Sequence, residues 1–96
     1  MIRSFRNRGT EDVYDGIDSK AARKVCPHQI WSVVQRKLSM LDAARDLRDL
    51  RSPGNQLHEL EEDRAGQWAI RINDQYRVCF FWEEQGATEV EVTDYH

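Results

Sequence analysis

One short segment, Ser52-Pro53-Gly54-Asn55, divides this chain into two parts that follow different hydrophobic periods. Before it, Ile30, Val33, Val34, Leu38 and Leu41 recur in steps of three and four, the spacing of one buried helical stripe. Trp31 and Met40 widen that stripe, and Pro27 suits a first helical turn, so the spacing predicts a helix over Pro27–Ala44. A short turn over Arg45–Leu50 is expected to carry Leu47 and Leu50 inward. Further upstream, Thr10 is a suitable N-cap, with Glu11 and Asp12 where carboxylates meet the positive end of a helix. A short helix over Glu11–Tyr14 is expected there, ended near Gly16. Ile2–Arg6 alternates imperfectly and is expected to form a first strand.

After Asn55 the period becomes two. Gln56–Leu60, Gln67–Asn73, Tyr76–Glu83 and Glu89–Thr93 read as strands, with turns at Glu61–Gly66, Asn73-Asp74-Gln75 and Glu84–Thr88. Tyr76–Glu83 is apolar almost throughout, as expected of a central strand buried on both faces. The expected order is β-α-α-β-β-β-β. This is an α+β fold, with two helices on one face of a mainly antiparallel sheet. Ile30, Val33, Val34, Leu38 and Leu41 should then meet Ile70, Ile72, Val78 and Phe80 in the core.

At 96 residues the chain is expected to be one domain, 1–96, because two cores would each have too little chain. No apolar run approaches the roughly 20 residues of a membrane span. Met1-Ile2-Arg3-Ser4-Phe5-Arg6 has no apolar stretch after its basic residues, so no secretory signal and a cytoplasmic protein are expected. Cys26 and Cys79, like His28, His58 and His96, have no metal-ligand spacing, and no metal or other cofactor is expected.

Charge is unevenly distributed. Residues 1–51 hold 11 basic and 7 acidic side chains, whereas residues 52–96 hold 3 and 10. Lys20, Arg23, Lys24, Arg36 and Lys37 fall in an acid-free stretch, Ser19–Leu41, which suits a solvated helix face or an anionic partner. The acidic second half argues against a protein coated all over in nucleic acid, but it allows a local anion site.

Five motifs in sequence order resemble a known family. They are Met1-Ile2-Arg3-Ser4-Phe5, Leu57-His58-x-Leu60, Asp63-Arg64-x-Gly66-x-Trp68, Tyr76-Arg77-x-x-Phe80 and Asp94-Tyr95-His96. Together they resemble HigB-type toxins of the RelE superfamily, over essentially the whole chain. The segments from Leu41 to Asn55 and from Arg71 to Gln75 look closest to the GraT-like branch. The resemblance implies a RelE-like curved sheet backed by two helices. It also implies a toxin of a type II toxin–antitoxin pair, which enters the ribosomal A site and cuts mRNA. The implied partners are the ribosome, mRNA and a HigA-like helix-turn-helix antitoxin, with operator DNA reached only through the antitoxin and no membrane.

Metal-independent RNA cutting needs a base for the 2′-OH proton, a cation for the crowded phosphorane and an acid for the leaving 5′ oxygen. The resemblance assigns these tasks to His58, Arg77, Asp94, Tyr95 and His96. Arginine suits bidentate phosphate contact, histidine ordinarily titrates near neutrality, and tyrosine can stack on a base. Without the resemblance, Arg77 would read as a strand arginine paired with Asp94 or Glu91. His58 would then read as a satisfied strand histidine, and Asp94, Tyr95 and His96 as a strand end without a task.

Many HigB toxins carry a lysine three residues after the strand histidine. Here that position is Glu61, beside Glu62 and Asp63. A carboxylate repels RNA, so Arg64 and Arg71 are the expected RNA-binding cations and an attenuated toxin is the expectation. Two other readings compete. One is a HigB-shaped binding module that acts through its antitoxin and operon repression. The other is a generic interaction domain using its basic helix, and it explains none of the ordered motifs.

Overall fold

The computed structural model describes residues 1–84 and 86–95. Three helices precede a four-stranded sheet: α1 (Arg8–Asp15), α2 (Lys20–Val25), α3 (Trp31–Ala43), β1 (His58–Glu59), β2 (Trp68–Arg71), β3 (Tyr76–Glu83) and β4 (Gly86–Asp94). The sheet order is β1-β2-β3-β4, and every neighbouring pair is antiparallel. The expected α+β architecture is therefore present, with differences in its first third.

Helix α1 begins earlier than expected. Its cap is Asn7, whose Oδ1 accepts from the Thr10 amide at 2.8 Å. Thr10 is fully buried, and its hydroxyl accepts from the Val92 amide of β4 at 3.1 Å. Gly16 ends α1 in the left-handed conformation, at φ 75°. Helix α2 was not expected; Ser19 caps it by accepting from Ala22, and only Ala22 on it is buried. Pro27 starts no helix: its ψ is 143°, and the chain makes a 3-10 turn over His28–Ile30 before α3 begins. The residue before proline is pushed to extended backbone, as Cys26 is (φ −163°, ψ 159°).

The expected first strand is reduced to two parallel bridges, Ile2 to Ala87 and Phe5 to Val90. The edge of β4 explains this. Glu89 has φ 49°, and the β3–β4 register shifts between Cys79 and Phe81, so the edge is interrupted. The N-terminal segment bonds on either side of the interruption, and Ser4 Oγ accepts from the Glu89 amide between them. Gln56–Leu60 likewise contributes only His58–Glu59 as strand, after Gln56 at φ 45°.

The core lies between the helices and one sheet face. Val34, Leu38 and Leu41 of α3 are fully buried, as are Ile70, Val78 and Phe80. Ile30 and Val33 are half-buried at its margin. Leu50, in a 3-10 turn over Leu47–Leu50 capped by Asp46, closes it below.

Helices α1 and α2 approach each other closely at Gly9. A Cβ there would lie 2.2 Å from Val25 Cγ2 and 2.5 Å from the Ala21 carbonyl oxygen. Gly9→Ala is therefore expected to lower the melting temperature by about 5 °C or more, overpacking outweighing the helix-propensity gain. An unchanged or raised melting temperature would contradict this contact.

Candidate active site

The sheet face away from the helices is defined by strand register. Residues directly opposite on neighbouring strands share a face, and so do residues two apart on one strand. His58 pairs with Ala69, Ala69 with Cys79 and Cys79 with Glu91. One pleat repeat away, Arg71 pairs with Arg77 and Arg77 with Thr93. His58, Arg71, Arg77 and Glu91 therefore lie on one face, while Ile70, Val78 and Val92 face the core. Leu60, Ala69 and Cys79 form a small buried cluster under this face, and burial pushes the Cys79 thiol up to about 11, so it is held protonated.

His58 Nδ1 lies 2.9 Å from the Gln56 carbonyl oxygen. A carbonyl only accepts, so Nδ1 carries a proton and the neutral ring keeps its lone pair on Nε2. His58 and Tyr95 together line an open cleft of about 310 Å³ with Leu60 and three carboxylates, Glu59, Glu61 and Glu62. An adjoining cleft of about 440 Å³ is lined by Tyr95, Arg64, Glu61, Glu62 and Asp63. Tyr95 is 38 % exposed, and its amide is fixed by the Gln75 carbonyl at 2.7 Å.

Arg77 makes neither of the ion pairs considered from sequence. One of its terminal nitrogens donates to the Asn73 carbonyl and, at 3.1 Å, to the Tyr76 carbonyl, both in its own hairpin. Its Nε is buried with no partner, unlike any other buried side-chain nitrogen or oxygen among the described residues. An orphaned buried donor costs about 1–3 kcal/mol. Arg71, directly opposite, is ion-paired with the exposed Asp74 of the same hairpin. Two guanidinium groups thus face each other across β2 and β3, with no carboxylate directly opposite either.

Asp94 pairs with Tyr76, so its side chain starts from the helix side of the sheet and not from the row that holds Arg77. Its Oδ2 accepts from Gln75 Nε2 at 2.9 Å. His96 lies outside the described residues. The structure thus brings His58 and Tyr95 to one cleft and puts Arg77 and Arg71 on the same sheet face, while Asp94 braces the turn beside them.

Glu91 was missed as part of this face, and Lys37 as a buried group of α3. Glu91 accepts from Arg64 at 2.8 Å and lies 3.8 Å from Arg6 Nε. Buried Lys37 of α3 donates to Asn55 Oδ1. Neither had a distinguishing sequence signal: Glu91 is one of the polar residues alternating with Val90 and Val92, and Lys37 is one of a basic stretch. Among the described residues no group of three His, Cys, Asp or Glu could hold a metal ion, and no helix is long and apolar enough to cross a membrane.

A family model for the HigB-like toxin, described as a RelE-like toxin of the type II toxin–antitoxin system HigB, matches residues 3–96. The sequence is 40 % identical over 83 residues to Toxin HigB-1 of Vibrio cholerae serotype O1, covering 85 % of this chain and 84 % of that protein. It is 27 % identical over 96 residues to Endoribonuclease HigB of Proteus vulgaris, covering all of both. A chain of the YoeB-YefM complex from Staphylococcus aureus shares the fold, with TM-score 0.61 and 11 % identity, over 100 % of this chain and 98 % of that one.

Proposed function

The chain belongs to the HigB-like, RelE-like toxins of type II toxin–antitoxin systems, and from that premise we propose that it is an endoribonuclease cutting mRNA in the ribosomal A site. The likeness to Endoribonuclease HigB supports the activity. The observation that carries the reading is the orphaned Arg77 Nε, on the sheet face that also holds His58. A phosphate there gives Arg77 a charge-assisted partner in place of neutral carbonyls, so binding the substrate removes a cost that the free protein carries.

The chemistry follows from the side chains. His58 Nε2 takes the proton of the 2′-OH. The 2′ oxygen bonds to phosphorus to give a pentacoordinate phosphorane, and the bond from phosphorus to the 5′ oxygen then breaks. Arg77 stabilises the phosphorane between these events, and Tyr95 with His96 returns a proton to the departing 5′ oxygen. The products are a 2′,3′-cyclic phosphate and a 5′-hydroxyl. Asp94 holds the Gln75 turn and so the approach of Tyr95, while Arg64 and Arg71 contact flanking phosphates. The whole chain, 1–96, acts as one toxin domain in the cytoplasm. Its neutralising partner is a HigA-like helix-turn-helix antitoxin, through which alone it reaches operator DNA. The Leu41–Asn55 and Arg71–Gln75 segments point to the GraT-like branch.

Net charge −3 gives little steering toward free RNA, so ribosomal RNA must help orient the message. Purified protein is expected to leave naked mRNA intact and to cut the same mRNA on translating ribosomes. Efficient cutting of naked RNA would refute the ribosome requirement, and no cutting in either setting would favour the binding-module reading.

Four carboxylates line the two clefts beside Tyr95, and this rim supports an attenuated enzyme. Glu61→Lys exchanges a repelling charge for an attracting one in the clefts beside Tyr95. The cutting rate on ribosomes is expected to rise roughly tenfold at low salt, with a smaller gain as salt screens the contact. A rate unchanged or lowered in rapid-quench assays would remove the rim as the source of attenuation.

A further inference from the structure

The sheet face that would meet RNA carries a carboxylate on β4, and this needs a physical reason. Glu91 stands in the same row as His58, Ala69 and Cys79. Its side chain is only 13 % exposed, unlike the open Glu61, Glu62 and Asp63 of the rim. A lone negative charge at that position would repel a phosphodiester and would carry a desolvation cost. Glu91 is not alone. Its Oε1 accepts from Arg64 Nη1 at 2.8 Å, and Arg6 Nε lies 3.8 Å from the same oxygen.

The partner is placed unusually. Arg64 is the only lysine or arginine among the described residues lining the clefts beside Tyr95. It also lines a neighbouring cleft of about 330 Å³ with Arg6, Asp63 and Gln67. Its hydrogen bonds to Glu91 and, at 3.2 Å, to Gln67 Oε1 both leave from Nη1. A guanidinium has five N–H donors in a fixed plane, so anchoring one nitrogen orients Nη2 and Nε toward a ligand. Arg64 sits at the end of a 3-10 turn over Glu62–Arg64, where a long side chain without an anchor would sample many rotamers.

We infer that Glu91 is a positioning residue, which holds the Arg64 guanidinium at the cleft beside Tyr95 so that it takes a phosphate of the RNA next to the scissile bond. Arg6 supplies a second positive charge beside Glu91, so the carboxylate stays compensated while it anchors Arg64. The inference rests on the reading of this face as the RNA site.

The sign of one substitution separates positioning from plain electrostatics. Removing a carboxylate from an RNA-binding face should strengthen RNA binding if its charge alone matters. Removing Glu91 should weaken it if Glu91 acts through Arg64. The probe is a trinucleotide with 2′-O-methyl groups, which cannot be cut, titrated into the purified protein while the Arg64 Nε–H signal is followed by nitrogen-15 NMR. In the wild type that signal should report a restricted guanidinium and should shift with the trinucleotide. Glu91→Ala should release the guanidinium and weaken binding by about tenfold, Arg64→Ala by about as much or more, and the double variant no further than Arg64→Ala. Glu91→Gln keeps an acceptor oxygen without the charge and should fall between wild type and Glu91→Ala; it carries the test if Glu91→Ala does not fold.

Tighter binding in Glu91→Ala, a double variant that loses the product of the two single losses, or a wild-type Arg64 signal indifferent to the trinucleotide would each overturn the inference. The same proteins assayed on ribosomes separate it from the proposed function. A wild type that binds the trinucleotide through a Glu91-held Arg64 yet cuts nothing upholds the positioning and rejects the endonuclease. A wild type that cuts, with Glu91→Ala cutting equally well, does the reverse.

Discussion

Arg77→Ala is expected to abolish measurable mRNA cutting on ribosomes. The phosphorane carries more negative charge than the ground-state phosphodiester, so a guanidinium beside it stabilises the transition state more than the substrate. Loss of one such donor in a preorganised site costs about 3 kcal/mol, or 10²- to 10³-fold in rate. Arg77 is poised for this role by geometry and by frustration. Its side chain shares a sheet face with His58, and its buried Nε has no hydrogen-bond partner in the free protein. Arg77→Lys should recover only part of the rate, because an ammonium cannot make the bidentate contact. The substitution should not unfold the protein, since Arg77 gives only hairpin carbonyl bonds in the free state. Wild-type cutting by Arg77→Ala would remove Arg77 from the mechanism.

Asn55→Ala is expected to destabilise the fold by about 3 kcal/mol, read as a lowered urea midpoint. Asn55 is fully buried, donates to the Leu50 carbonyl at 2.9 Å and accepts from the buried ammonium of Lys37. Alanine there leaves that ammonium without its acceptor. Adding Lys37→Met should recover much of the loss, since removing both partners costs less than orphaning one. The same pair predicts a pH effect. Burial, helped by the positive charges of Arg36 and Arg71, holds the Lys37 pKa below the ordinary lysine value. The folded chain then binds this proton more weakly than the unfolded chain. The cost is fully present below the folded pKa, and stability rises as pH climbs from there toward the ordinary value. Lys37→Met should flatten that alkaline rise. A stability unchanged by Asn55→Ala would show that this buried pair does not support the fold.

What could be read in advance depended on whether neighbouring residues settle the outcome. The stripe Val34, Leu38, Leu41 and the alternation of Ile70 and Ile72 against Ala69 and Arg71 report burial directly, and all of the apolar members are buried. Val78 and Arg77, as consecutive residues of β3, lie on opposite faces, which its nearly continuous apolar run does not mark. Helix α2 has six residues and one buried side chain, Ala22, so it leaves no stripe to detect. The N-terminal segment fails as a strand because of Glu89 and a register shift on β4, more than 80 residues away in sequence. Proline at position 27 favoured a helix start, yet its extended ψ delays α3 to Trp31.

The site followed the same division. His58 and Arg77 share a face because register follows the alternation. Asp94 does not, because the chain reaches it one residue out of phase with Thr93. The pairing of Arg64 with Glu91 was not legible, since it depends on a tight turn over Glu62–Arg64 that aims the arginine across to β4. Glu91 pairs with Arg64 and not with Arg77, which sequence alone could not distinguish from the reverse. Lys37 read as part of a basic, solvated stretch, and only the 3-10 turn over Pro53–Asn55 brings Asn55 back to cover it.

The account turns on one claim, that this sheet face cuts mRNA during translation. Inducing the chain in a cell that lacks its antitoxin, and mapping mRNA 5′ ends, tests that claim most directly. The account predicts new 5′-hydroxyl ends within translated reading frames, absent from untranslated RNA and absent when Arg77→Ala is induced to the same level. No new ends from the wild-type chain, or the same ends from Arg77→Ala, would contradict it.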